Sequence, residues 1–395
     1  MPILGAQGSG AKSPPGAPTI GTATAGDASA SVTFSAPSFS KLPITSYTVT
    51  SSPGSFTGTG ASSPITVTGL SNSTEYTFTV TATNSNGTSA ASASSNSTTP
   101  TSPARGLLNT AYNGTATVAN VDYITIASTG NATTFGNLTT VSYHVAACAS
   151  STRGVFMGGV RAGEYSTIMD YVTIATTGNA TSFGALTVQR GSLGGLSNST
   201  RGIASGGFNG STVTTLDYIT IASTGNATTF GTDTAAGNIT NPAAFASSTR
   251  GVIAGGSGYN TAIRYVTIAT TGNTTAFGTL TVGRGTCAGV SSSTRGVIGG
   301  GYDAAPNYSA IIDYITIAST GNATSFGNLT TGRYWLGACS SSLRGVFGGG
   351  GYTGVTASAI MDYITISTVG NATTFGNMTA GALYNAGCSN GHGGL

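Results

Sequence analysis

The chain has 395 residues, of which 61 are Gly and only 23 are charged, 13 basic and 10 acidic. Two Lys and 11 Arg spread over that length cannot neutralise a row of phosphates, so electrostatic nucleic-acid binding is excluded. With 17 Tyr and 14 Phe and a net charge of +3, the chain is not of disordered composition, and no apolar run of membrane-spanning length occurs. Abundant Gly, Ser, Thr, Asn and Ala with few Glu, Lys and Leu predict an all-β fold.

Residues 1–14 are rich in Gly, Ser and Pro and lack a basic region followed by an apolar stretch, so no secretory signal is expected there. They read as an anchoring arm, with Pro2, Ile3 and Leu4 as its contact residues. GAQGSG at 5–10 follows no strand, so it does not predict a phosphate loop. Residues 15–100 carry apolar stripes at period two: Val32 and Phe34; Ile44, Tyr47 and Val49; Ile65, Val67 and Leu70; Tyr76, Phe78, Val80 and Ala82. Turn residues separate them, as in a sandwich of about seven strands. The stretch ITVTGLSNSTEYTFTVTATNSNGTS (65–89) resembles the end of a fibronectin type III domain. The resemblance places Tyr76 at the buried tyrosine of the strand E–F corner and Phe34 where the family usually has Trp.

After a linker at 101–104, residues 105–395 are a repeat. Tyr-(Ile/Val)-Thr-Ile recurs at Tyr123, Tyr171, Tyr218, Tyr265, Tyr314 and Tyr363, at spacings of 47 to 49. A period near 50 with about four short strands per unit predicts a six-bladed β-propeller. In the unit 291–334, RGVIGGG, IDYITIAS and ATSFGNL are three strands, and the segment before SSSTRG is the fourth. Gly doublets are expected to end one strand at 158–159, 206–207, 255–256, 299–300 and 348–349. These doublets, the following Tyr, a later aromatic and Arg190, Arg284 and Arg333 resemble a divergent kelch repeat, with Phe135 and its equivalents where kelch has Trp. The first unit lacks its innermost strand while the chain ends on one, so Leu383–Gly391 is expected to pair with the unit at 105–138. Such closure would remove free sheet edges.

Cys148, Leu196, Phe245, Val290, Cys339 and Cys388 align five residues before the repeated Arg-Gly, in the closing unit by analogy. That alternation reads as a buried apolar position, and neither it nor His144 and His392 has metal-ligand spacing. Asp122, Asp170, Asp217, Asp313 and Asp362 precede the repeated Tyr, with Arg264 in the remaining unit. A decoration repeated in five units is expected to hold loop backbone or pair with Arg, not to be a catalytic pair. Glu164 with Asp170 and Asp303 with Asp313 are the acidic pairs that share a loop, and no catalytic residue is assigned. Ser-Thr-Gly-Asn-Ala-Thr-Thr-Phe (128–135) resembles a sialidase hairpin in outline but lacks its Asp. The repeated Asn-x-Thr sequons at Asn131, Asn179, Asn226, Asn273, Asn322 and Asn371 read as turn residues, and no metal or cofactor is expected.

The loops before the repeated Tyr differ in every unit and contain Tyr112, Tyr165, Phe208, Tyr259, Tyr302, Tyr308 and Tyr352. In a regular propeller all lie on one face. Aromatics among small polar residues have the composition of binding loops and can stack on sugars; packing beneath their own loops is the alternative. The arm, the sandwich and the IASTGNAT-type string repeated around a ring resemble accessory structural proteins of tailed phages, particularly those infecting cyanobacteria. The resemblance implies a non-enzymatic virion-surface protein in several copies, held to other virion proteins by its arm and displaying the propeller, with host-surface polysaccharide as a ligand. A bacterial surface adhesin and a glycan-degrading enzyme are the competing readings.

Overall fold

In the computed structural model, the structure describes residues 13–234, 239–304 and 308–395. The described residues form strands, turns and loops with no helix. They divide into two compact units, through Pro103 and from Ala104 onward. Pro2, Ile3 and Leu4 lie outside the described residues.

The first unit is a two-sheet sandwich. Strands β1 (Thr19–Gly26), β2 (Ser29–Ser35) and β5 (Ile65–Thr68) form one sheet. Strands β3 (Ser46–Ser52), β4 (Thr57–Gly60), β6 (Thr77–Asn84) and β7 (Gly87–Thr88) form the other, in the order β4-β3-β6-β7. Period-two alternation sends Val32, Phe34, Tyr47, Val49, Ile65, Val67, Phe78, Val80 and Ala82 into one core between the sheets. Tyr76 is buried there, and its hydroxyl accepts a hydrogen bond from the Ser71 N–H at 3.0 Å, six residues after Leu70. Beyond β7 the chain runs along the free edge of β6 with a period of three. Ser89, Ser92 and Ser95 each place a hydroxyl 3.0 Å from a β6 N–H, those of Ala82, Val80 and Phe78. Three residues of that run match two of β6, a device the alternation of the strands gives no sign of.

The second unit holds six four-stranded antiparallel sheets. They are numbered here by their Arg-Gly strands: Arg105–Asn109, Arg153–Met157, Arg201–Ser205, Arg250–Ala254, Arg295–Gly299 and Arg344–Gly348. In the second to sixth sheets the chain runs inner strand, Arg-Gly strand, Tyr strand, outer strand, in spatial as in sequence order. The first sheet takes its inner strand from the C-terminus: Gly387, Cys388 and Ser389 pair with Leu108, Leu107 and Gly106. None of the sheets closes on itself. Each inner strand lies beside that of the next sheet, the sixth beside the first, and all six line narrow cavities of about 50 and 90 Å³.

One inner-strand position alternates strictly, Ala147, Gly195, Ala244, Gly289, Ala338 and Gly387, from sheet to sheet. A Cβ on Gly195 would strike the Ala147 carbonyl, and one on Gly387 the Ala338 carbonyl. The strands approach so closely that every second residue must be Gly. The Gly doublets are corrected in two sheets. The left-handed pairs are Gly300-Gly301 and Gly349-Gly350, with φ of 68° and 113° and of 70° and 91°. Gly299 and Gly348 instead belong to strands, where a Cβ would come within 3 Å of Phe347 and Leu108 respectively.

Candidate binding site at one end of the inner strands

Most residues that repeat are consumed in joining one sheet to the next. Each Arg of the Arg-Gly strand stacks on the repeated Tyr of its own sheet, 4.2 to 4.5 Å from the ring centre. Its guanidinium then donates to a carbonyl of the next sheet, Arg105 to Ile174 and finally Arg344 to Ile126 of the first sheet. The sequon Asn residues do more than turn the chain. Asn179 Oδ1 accepts from the Asn137 N–H of the preceding sheet at 3.0 Å, and Asn131 does the same for Asn377.

The repeated Asp carboxyls are fully buried. Asp170, Asp217, Asp313 and Asp362 pair with Arg161, Arg190, Arg284 and Arg333 at 2.7 to 3.1 Å. In the fourth sheet the charges are exchanged: Arg264 takes the Asp position and pairs with Asp233 at 3.1 Å. Asp122 has no ion pair among the described residues. It accepts from the Thr379 N–H at 2.9 Å and hydroxyl at 2.7 Å, and burial pushes its carboxyl above the usual range. None of these carboxylates is paired with a second acid. Glu164 is exposed, Asp313 is held by Arg284, and no cluster of metal-ligating groups occurs among the described residues.

The four cysteines are buried free thiols, with Cys148, Cys339 and Cys388 at the aligned apolar position. Burial pushes the Cys388 thiol up to about 12, and those of Cys148 and Cys339 higher. These are packing groups with no thiolate available as nucleophile or ligand.

One residue beyond the aligned position, the inner strands carry Ala149, Ser197, Ala246, Ser291, Ser340 and Ser389. Each Ser hydroxyl donates to the carbonyl of the strand before it: Ser197 to Ala149, Ser291 to Ala246, Ser340 to Ser291 and Ser389 to Ser340, at 2.5 to 3.1 Å. His392 closes this end, its Nε2 2.9 Å from the Ala149 carbonyl oxygen. The neutral ring donates there, and burial lowers its pKa.

The opposite end has another composition. Four residues before the aligned position stand His144, Ser192, Asn241, Thr286, Trp335 and Tyr384, all with φ between 52° and 61°. This left-handed backbone is uncommon for such side chains. At four of the six positions it turns the N–H onto the carbonyl of the neighbouring strand. Ser192 donates to the His144 carbonyl, Asn241 to Ser192, Thr286 to Asn241 and Trp335 to Thr286, at 2.7 to 3.0 Å. The backbone geometry is common to six positions while the side chains share nothing.

The aromatic members are adjacent. Ring centres lie 4.2 Å apart for Trp335 and Tyr384 and for His144 and Tyr384. Tyr143 and Tyr334 extend the cluster, Tyr334 at 4.7 Å from Trp335. Burial lowers the His144 pKa to about 4, so its imidazole is neutral at pH 7, and burial, with the neighbouring phenols adding to it, raises the Tyr384 pKa. Trp335 lines three spaces. One is the narrow opening between the six strand ends, about 70 Å³. The second, about 380 Å³, is walled by Tyr259, Tyr302 and Tyr334. The third, about 460 Å³, is walled by Tyr143, Tyr165 and Phe208.

The seven aromatics expected from the loops are therefore distributed unevenly. Tyr165 and Phe208 meet edge to face at 5.9 Å in the larger cavity. Tyr259 and Tyr302 stack at 6.2 Å in the smaller, and Tyr308 stacks on Tyr334 at 4.9 Å. Tyr112 sits at 6.4 Å from Tyr384, with its hydroxyl donating to the Gly114 carbonyl. Tyr352 forms a turn with Val355 and lines neither cavity.

Comparison with known proteins bears on the first unit. Residues 13–98 match the fibronectin type III domain. The fibronectin type III unit thus spans the sandwich whose Tyr76 corner and Phe34–Tyr47 ring contact, 4.8 Å between centres, are described above. No curated protein matches the chain. The sequence singles out only His144 of the six residues at the opening, and does not group them, because they share no residue type. Counting four residues back from Cys148, Leu196, Phe245, Val290, Cys339 and Cys388 finds all of them.

Proposed function

We propose that the chain is a non-enzymatic display protein in which a fibronectin type III spacer carries a six-bladed, kelch-like β-propeller that binds carbohydrate at its aromatic opening. Six sheets of one strand order, a C-terminal strand paired into the first sheet and Arg344 bonded across to Ile126 support the propeller reading. The observation that carries the binding reading is the split between repeated and unrepeated positions. Repeated Arg, Asn and Asp join sheets, whereas the unrepeated ring leaves Trp335 between two cavities of small-ligand size. Rigid aromatic faces beside Ser, Thr and Asn side chains suit sugars, which present an apolar face and a hydroxyl rim. The virion-surface address is proposed from sequence alone, on the resemblance of arm, sandwich and repeat to accessory proteins of tailed phages, with Pro2, Ile3 and Leu4 contacting another virion protein and host-surface polysaccharide as the ligand.

A glycan array probed with the whole chain tests this. Binding to a restricted set of glycans, without release of reducing sugar, is expected. No bound glycan would overturn the carbohydrate reading, and hydrolysis of a bound one would overturn the non-enzymatic reading.

A further inference from the structure

The proposed carbohydrate site can be read one level deeper, on the premise that the opening binds sugar at all. We infer that it takes an uncharged oligosaccharide of at least two units, laid across Trp335 with one unit in each aromatic cavity. Both cavities share Trp335 and Ser257, so they are neighbouring compartments along one surface path. Each brings its own aromatic wall, Tyr259 with Tyr302 on one side and Tyr165 with Phe208 on the other. Each also has small polar side chains, Thr286 in the smaller and Ser192 and Asn241 in the larger. At about 380 and 460 Å³ each is a small-ligand compartment in itself.

Charge decides the class of sugar. Among the described residues neither cavity is lined by Asp, Glu, Lys or Arg, and His144, the titratable base among them, is held neutral by burial. A uronic or sialic acid would enter an aromatic compartment with no cation to meet its carboxylate, which is costly. A neutral sugar meets no such penalty. Trp335 is the shared wall and belongs to both subsites, while Tyr259 and Phe208 belong to one each.

The test is a calorimetric titration of the whole chain with neutral gluco-, manno- and N-acetylglucosamine oligomers of one to six units, and with oligogalacturonates of the same lengths. For the neutral series that binds, affinity is expected to rise at least tenfold between one unit and three. Tyr259→Ala and Phe208→Ala should each remove most of that gain in a chain that still unfolds cooperatively. Equal affinity for monomer and trimer, or variants that keep the gain, would overturn the two-subsite arrangement. Oligogalacturonates binding as tightly as neutral oligomers would overturn the charge argument. In both cases the carbohydrate reading would stand. Absence of binding by every oligomer would overturn the reading and the inference together.

Discussion

The inner strands end in two rings of six equivalent residues, and the rings differ in kind. At one end Ala149, Ser197, Ala246, Ser291, Ser340 and Ser389 use two small residue types, and four hydroxyls tie neighbouring strands together. At the other, His144, Ser192, Asn241, Thr286, Trp335 and Tyr384 share a left-handed backbone and no residue type. Where side chains carry the joining, the positions are uniform. Where the backbone carries it, through N–H groups turned toward the neighbouring carbonyls, the side chains are released to differ. Unrepeated chemistry on a repeated backbone is what a binding site built on a symmetric scaffold requires.

The largest effect is expected beneath the variable ring, at a position that repeats. Arg333→Met leaves Asp362, fully buried, with only Thr330 as hydrogen-bond partner among the described residues. Breaking one side of a buried pair costs about 3–5 kcal/mol, and urea unfolding of the whole chain should show a loss of that order. A loss under about 1 kcal/mol would mean that the repeated ion pairs do not hold the sheets.

Acid should distinguish the two rings from the rest of the fold, because each has a histidine with a lowered pKa. Between the unfolded value of 6.5 and the His144 value of about 4, the unfolded chain takes up protons that the folded chain refuses. Stability is therefore full above pH 6.5, falls as pH drops through this window, and stops changing with His144 below about 4. The His144 contribution is on the order of 2–3 kcal/mol. Asp122 acts in the opposite sense, since its raised folded value adds stability as pH falls through it. Unfolding free energy followed from pH 7 to pH 4 should decline, and His144→Phe should flatten the decline. An unchanged slope in that variant would place the effect elsewhere.

Much of this organisation is legible in the sequence because it is written in residue identity. The Tyr-x-Thr-Ile recurrence locates the Tyr strand of every sheet, and the chain's final YNAGCSNG reads as the strand missing from the first. The period-two stripes of residues 32–82 name most of the core of the fibronectin type III unit. The opening is less legible for a physical reason. Its rule is a backbone angle, and non-Gly residues at positive φ leave no mark in composition. The loop aromatics are visible as residues, but their grouping depends on which loops converge. Tyr165 meets Phe208 from the neighbouring sheet, while Tyr352 turns back on its own loop. The shift of the Gly doublet to 300–301 and 349–350 is hidden by runs of three and four Gly, 299–301 and 348–351, in which only contacts decide which Gly belongs to the strand.

The most direct test of the contrast compares one substitution in each ring, Trp335→Ala and Ser340→Ala, by titration with the tightest-binding neutral oligosaccharide and by thermal unfolding. Ser340→Ala removes a 3.1 Å hydrogen bond to the Ser291 carbonyl and should cost about 1 kcal/mol of stability with affinity unchanged. Trp335→Ala removes the wall shared by both cavities and should reduce affinity at least a hundredfold in a chain that still unfolds cooperatively. Affinity retained by Trp335→Ala, or lost to the same degree in Ser340→Ala, would contradict the assignment of binding to the unrepeated ring.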